Sequence, residues 1–177
     1  MIKPKPSKSR ALKTLNLLKN NYSQAKIVLK YKNNWELLVA VILSAQCTDK
    51  IVNKVTKKLF LKYKTLDDYI KADLSVFEKD VRSTGFYKNK AKNIINSAKI
   101  IKTKHQGKIP QTMEELINLP GVARKTANIV LGNAFNIVVG IAVDTHVKRL
   151  SLRLELTKET NPVKIEKDLM ALFPKKD

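Results

Sequence analysis

The chain has 177 residues, 44% of them hydrophobic, which is enough for a packed core in one ordinary domain or two small ones without staples. Its 35 basic and 15 acidic residues leave a formal charge of +20, far from the balance of a small-metabolite enzyme and suited to a polyanionic partner, most simply nucleic acid. The single cysteine, Cys47, excludes a disulfide framework or a cysteine-built zinc site within this chain. His105 and His146 lie far apart and outside any HExxH pattern.

Helical signals follow one another along the chain. Arg10–Lys19 is amphipathic, with Leu12, Leu15 and Leu18 on one stripe. Trp35–Ala45 is apolar nearly all round and reads as a buried helix; its run Leu37–Leu43 is too short to span a bilayer. The basic N-terminus has no apolar stretch of the kind a secretory signal needs, and a soluble, intracellular, reduced-compartment protein is expected. Asp49–Tyr63 comes next, with Asp49 as a cap and Ile51, Val52, Val55, Leu59 and Phe60 inward. Thr65 to Asp68 and Ser75 to Glu78 both read as helix starts, the second with capping-box spacing. Asn89–Lys104 is a long helix with Ile94, Ile95, Ala98 and Ile101 on one stripe and lysines over the rest.

Gly107 and Pro110 break the pattern, and Thr112 to Glu115 restarts it with another capping box. That helix stops at Asn118-Leu119-Pro120-Gly121, and a new one runs from about Arg124 to Ala134. The apolar run Ile137–Val143 has no second strand to pair with and reads as a buried connector or the lead-in to a helix. Asp144–Leu154 is helical with Asp144 as its N-cap, and Asn161-Pro162 caps a last helix to Phe173. Charge is uneven along these elements: residues 1–35 hold nine basic residues and no acid, and residues 82–112 hold eight and no acid. A lysine-rich solvated surface is the plainer explanation, yet two long acid-free stretches still build a positive field.

Chemistry concentrates at Leu119-Pro120-Gly121-Val122-Ala123-Arg124-Lys125-Thr126-Ala127, a helix, a tight turn and a helix. Gly121 can take φ > 0 at the reversal, and small Ala123 lets the backbone approach a surface. The N–H groups opening the second helix then form an anion site suited to a DNA phosphate, which positions without reading sequence. A bare αα-hairpin would be the ordinary alternative. Lys125 falls in the first turn, where the helix dipole disfavours a cation. The same field, with partial desolvation, favours the neutral amine that attack on a sugar carbon requires. Asp144, after an apolar run, is at once an N-cap and a half-buried carboxylate. Ionised, it could stabilise the cationic sugar formed as a glycosidic bond breaks, or take a proton from the amine.

LPGVARKTANIVL followed by IAVDTHVKR, with LLVAVILSAQCTDK near 37–50 and STGFYKNKAKNI near 83–94, resembles the helix-hairpin-helix DNA glycosylase superfamily, and within it the endonuclease III family. The resemblance spans nearly the whole chain. It implies an all-α fold with two helical lobes around a DNA-binding cleft. Residues 26–135 would form a six-helix barrel domain holding the hairpin at about 112–134, and 1–25 plus 136–177 a second, incomplete lobe. It implies a bifunctional DNA glycosylase and abasic-site lyase of base-excision repair, acting on oxidised pyrimidines in double-stranded DNA as a cytoplasmic, nucleoid-associated monomer.

By the same resemblance Lys125 is the Schiff-base lysine and Asp144 the essential aspartate. Gly121, Val122 and Ala123 hold phosphate, Gln46 fills the gap left by the flipped nucleotide, and Phe86 wedges into the opposite strand. Gln46 as a helix-end residue and Phe86 as a core aromatic are the simpler alternatives. The family continues into a cysteine loop holding an iron–sulfur (4Fe–4S) cluster; this chain encodes none of those cysteines, so no cofactor is expected from it. A truncated reading frame, a fragment or a cluster-free variant would each fit, truncation best, and apolar surface in the second lobe is then expected to be exposed. A catalytically impaired DNA-binding protein, a monofunctional glycosylase of the same fold, and a basic RNA-binding protein are the rival functions.

Overall fold

Among the described residues ten α-helices carry the fold, and Cα packing divides the chain into two units, Val28–Ile137 and a second made of Met1–Ile27 with Val138–Asp177. The structure, a computed structural model, describes residues 7–174.

The larger unit is organised by α2 (Asn34–Ser44), whose residues from Trp35 to Leu43 are buried without a break. No polar face is left because helices pack on every side of it: α3 (Asp49–Lys62), α6 (Tyr87–Lys104) and α8 (Arg124–Phe135). Each fully buried Leu or Ile here contributes about 1.5–3 kcal/mol of transfer free energy, so this helix anchors the unit. The short helices α4 (Leu66–Ile70) and α5 (Leu74–Val81) lean on α6, and a single 3-10 turn, Arg82–Thr84, joins α5 to α6. Trp35, Tyr63, Tyr69 and Phe77 pack edge-on or tilted, with ring centroids 5.1 to 5.8 Å apart. α7 (Met113–Ile117) ends at the turn that leads into α8.

The smaller unit consists of α1 (Lys8–Asn21), α9 (Thr145–Arg153) and α10 (Pro162–Leu172). Ala11, Val143, Leu156, Ile165 and Leu169 form its core, with Ile141, Val147, Leu172 and Phe173 packed against them. Arg10 donates from Nη1 to Glu155 Oε2 at 2.8 Å, which ties α1 to the turn after α9.

Several local expectations are corrected. On α1 the buried residue is Ala11, while Leu12 and Leu18 of the expected stripe are exposed, as are Leu17 and Tyr22. α3 is preceded by Thr48 rather than capped by Asp49; Ile51 is exposed and Thr56 takes an inward place. α5 starts at Leu74 with Asp73 as its cap, accepting from Val76 N at 3.0 Å, and Ser75 donates to that same carboxylate. The charged carboxylate is the stronger acceptor, so it takes the cap while the Ser75 hydroxyl donates to it. The remaining caps follow the sequence: Thr65 with Asp68 in a full capping box, Thr112 accepting from Glu115 N, and Asn161 accepting from Val163 and Lys164. Residues 137–143 are neither helix nor strand; they form a connector, but not the buried one expected, since Val138 and Val139 are exposed and only Val143 is buried.

Candidate active site

The hairpin between α7 and α8 is built as its sequence suggests. Gly121 has φ +78°, in the left-handed region, and Val122 N donates to Leu119 O at 3.1 Å to close the turn. Val122 is buried, whereas Gly121 and Ala123 are exposed. A Cβ on Gly121 would stand 2.9 Å from Nδ2 of Asn93 and 3.1 Å from its Cβ, so α6 packs directly against the glycine. Ser97, one helical turn further along α6, donates from Oγ to Pro120 O at 3.0 Å. Gly121→Ala is therefore expected to destabilise the chain by about 2 kcal/mol, since strain at the positive φ adds to a contact Asn93 has to yield. Denaturant unfolding at unchanged m-value measures this; an unchanged midpoint would remove the hairpin's dependence on glycine.

Ala123 is the N-cap residue of α8 and offers no side-chain acceptor to the first turn. Three of the described helices start this way, with no side-chain cap bond: α3 after Thr48, α6 after Phe86 and α8 after Ala123. They are the helices that follow Gln46, Phe86 and the hairpin, the elements expected to meet DNA. Helix starts without an internal acceptor suit an external anion. Lys125 is exposed as the second residue of α8.

Gln46 lies in the loop from α2 to α3, exposed, with φ +53°. Phe86 is 66% exposed and has φ +47°. Phe86 is thus no core aromatic, whereas Gln46, directly after the C-cap Ala45, is the helix-end residue of the simpler alternative. Non-glycine residues in the left-handed region are uncommon; this unit has four among its described residues, Gln46, Phe86, Gln106 and Asn136, and Phe86 is the one aromatic. One residue that the sequence reading left among the surface lysines connects the Gln46 and Phe86 turns: Lys90, buried at 5% exposure, donates from Nζ to Leu43 O and to Thr84 O, both at 2.8 Å.

Asp144 belongs to the smaller unit. It is half-buried and caps α9, its Oδ1 accepting from His146 N at 2.9 Å and Val147 N at 2.8 Å. The carboxylate therefore stands at the start of α9, its Oδ1 held by two backbone N–H groups.

Residues 39–175 match the family model described as HhH-GPD superfamily base excision DNA repair protein. The chain is 53% identical to endonuclease III of Synechocystis over 96% of its own length and 78% of that protein's. It is 47% identical to endonuclease III of Bacillus subtilis, over 92% and 74%. The chain belongs to the endonuclease III family. A solved non-covalent endonuclease III–DNA complex superimposes with a TM-score of 0.92 at 45% identity, covering 96% of this chain and 79% of that one. A trapped endonuclease III–DNA covalent intermediate superimposes equally well, covering 80% of its chain. A thermostable thymine-DNA glycosylase at 21% identity, TM-score 0.81, shares the fold. The all-α, helix-hairpin-helix glycosylase fold follows, and with membership comes the activity class, DNA glycosylase and abasic-site lyase of base-excision repair.

Endonuclease III's iron–sulfur cluster finds no ligand set in this chain. Its one cysteine, Cys47, lies in the Gln46 loop, and among the described residues no three His, Cys, Asp or Glu side chains gather as metal ligands. The residues present do not fit that group, and the chemistry below does not use it. Among the described residues no helix is long and apolar enough to cross a membrane.

Proposed function

We propose that the chain excises oxidised pyrimidines from double-stranded DNA and then cuts the strand, with Lys125 as nucleophile and Asp144 as the carboxylate that assists it. The observation that carries this reading is Lys125's position, solvent-exposed in the first turn of a helix that begins at a glycine hairpin. A phosphate held at the start of α8 brings the neighbouring sugar within reach of that side chain.

The damaged nucleotide first leaves the stack, because its C1′ is unreachable inside the duplex. Gln46 enters the vacated space and Phe86 wedges against the opposite strand; both are exposed at turns, as those roles require. The neutral Lys125 amine then attacks C1′, and the base departs with the electron pair of the glycosidic bond and takes up a proton. Asp144, ionised, stabilises the positive charge that develops on the sugar, or accepts the proton the amine loses. The nitrogen lone pair then opens the sugar by breaking the C1′–O4′ bond, O4′ takes up a proton, and the imine so formed acidifies the C2′ proton. Its removal expels the 3′ phosphate by β-elimination, and water hydrolyses the imine to regenerate the amine.

The test is borohydride reduction of the full 177-residue chain with a duplex carrying one thymine glycol or one abasic site. A covalent protein–DNA adduct is expected on both. A chain that circular dichroism shows to be helical and that forms no adduct would leave a DNA-binding protein without lyase chemistry. Phe86→Ala is expected to slow base release from paired duplex by about tenfold to a hundredfold, since a wedge worth one stacking contact is lost. Cleavage of an abasic site in single-stranded DNA, measured alongside, has no stack to open; an equal loss there would remove the wedge role.

A further inference from the structure

Lys90 is the fourth residue of α6 and, among the described residues, the one lysine that is buried. Its position is unfavourable on two counts. A cation in the first turn of a helix opposes the dipole, and burial removes its hydration. What it gains is a fixed place between two backbone carbonyls. Leu43 O belongs to the last turn of α2, where carbonyls have no helical partner, and Thr84 O closes the 3-10 turn before α6. Leu43 stands three residues before Gln46, and Thr84 two residues before Phe86. Lys90 also holds Phe86 through the backbone, its N–H donating to Phe86 O at 3.1 Å.

Resting on the reading that Gln46 and Phe86 enter the duplex, we infer that Lys90 is a positioning residue that clamps the two turns to one ammonium group, so that they engage DNA as a unit. The strained backbone at Phe86 (φ +47°), a bulky residue at the N-cap of α6, supports this, because such a residue persists only where the surroundings over-determine it. Short bonds seal each turn beside the clamp: Cys47 N donates to Ser44 O at 3.1 Å and Gly85 N to Arg82 O at 3.3 Å. Burial holds the Lys90 ammonium below the ordinary lysine pKa, while the nearby Cys47 thiol acts in the opposite sense. Methionine matches the length of this side chain and donates nothing; arginine keeps the charge and the donors.

The experiment compares single-turnover cleavage of one abasic site in paired duplex and in single-stranded DNA by the wild-type chain, Lys90→Met and Lys90→Arg. The ratio of duplex to single-strand rate is expected to fall by about tenfold in Lys90→Met and to recover most of the way in Lys90→Arg. A folded Lys90→Met with an unchanged ratio overturns the clamp, and so does an equal loss on both probes. Hydrogen exchange at the Cys47 and Gly85 amides gives a second arm that needs no catalysis. One clamp predicts that both amides lose protection together, by the same factor, in whichever Lys90 variant folds. Loss at one amide alone overturns the proposal. A wild-type chain that cleaves neither probe sinks the lyase reading and leaves the clamp to be decided by the exchange data.

Discussion

Lys125→Ala is expected to abolish the borohydride-trapped adduct while leaving the chain folded and bound to DNA. The substitution deletes the only atom the scheme uses to form a covalent bond, so the lyase rate should fall by at least about a thousandfold. Little else should change. Lys125 is exposed, and interactions of exposed charged side chains are individually worth little. Stability should therefore stay within about 0.5 kcal/mol of wild type. Affinity for an abasic duplex, measured at fixed salt, should change by less than about tenfold, because the phosphate clamp and the remaining positive charge persist. An adduct that survives in Lys125→Ala would assign the imine to another amine. An adduct lost together with the fold would say nothing for Lys125 as nucleophile, which is why unfolding is followed in parallel.

Asp144→Asn carries the second large effect. Asparagine caps helices about as well as aspartate, so the bonds to His146 N and Val147 N survive while the negative charge is lost. Base release should fall by about 10² to 10⁴, the range expected for a lost acid–base or charge-stabilising carboxylate. Trapping at a pre-formed abasic site, where no base has to leave, should suffer less. Asp144→Ala serves as the contrast: it removes the cap as well and should cost about 1 kcal/mol of stability. Equal effects of Asn and Ala on stability, with base release intact in Asn, would reduce Asp144 to a helix cap.

How far the sequence speaks for itself differs from element to element, for physical reasons. The buried α2 and the apolar stripe of α6 were legible because continuous burial and helical periodicity leave no competing arrangement. The hairpin was legible because a positive φ at a close contact selects glycine, and Gly121 meets both conditions. Caps were legible to within a residue: Asp73 and Thr48 stand where Ser75 and Asp49 were expected, since neighbouring polar residues compete for one position. The stripe on α1 misled because a helix in a small unit buries little; Ala11 alone is fully covered.

Two features of the site left no readable signal. Gln46 and Phe86 adopt the left-handed conformation without being glycine or asparagine, so nothing in their identity announces the turn. Lys90 looks like its neighbours Lys88 and Lys92, one polar residue on a lysine-covered helix. Only tertiary packing separates it from them, by bringing two carbonyls from distant elements to the same nitrogen.

Lys90, Asn93 and Ser97 share one face of α6, and between them they touch the Gln46 and Phe86 turns and both sides of the hairpin reversal. From Lys90 to Ser97 the helix rises about 10 Å, at 1.5 Å per residue. That is close to three nucleotide steps along one strand, at about 3.4 Å each. Under the proposed DNA roles of Gln46, Phe86 and the hairpin, α6 sets their spacing in residues, not in contacts. Inserting one alanine between Asn93 and Ser97 would lengthen that spacing by about 1.5 Å and turn its far end by about 100°. Every contacting side chain would still be present, yet the plug and the phosphate clamp would no longer be in register for the same stretch of DNA.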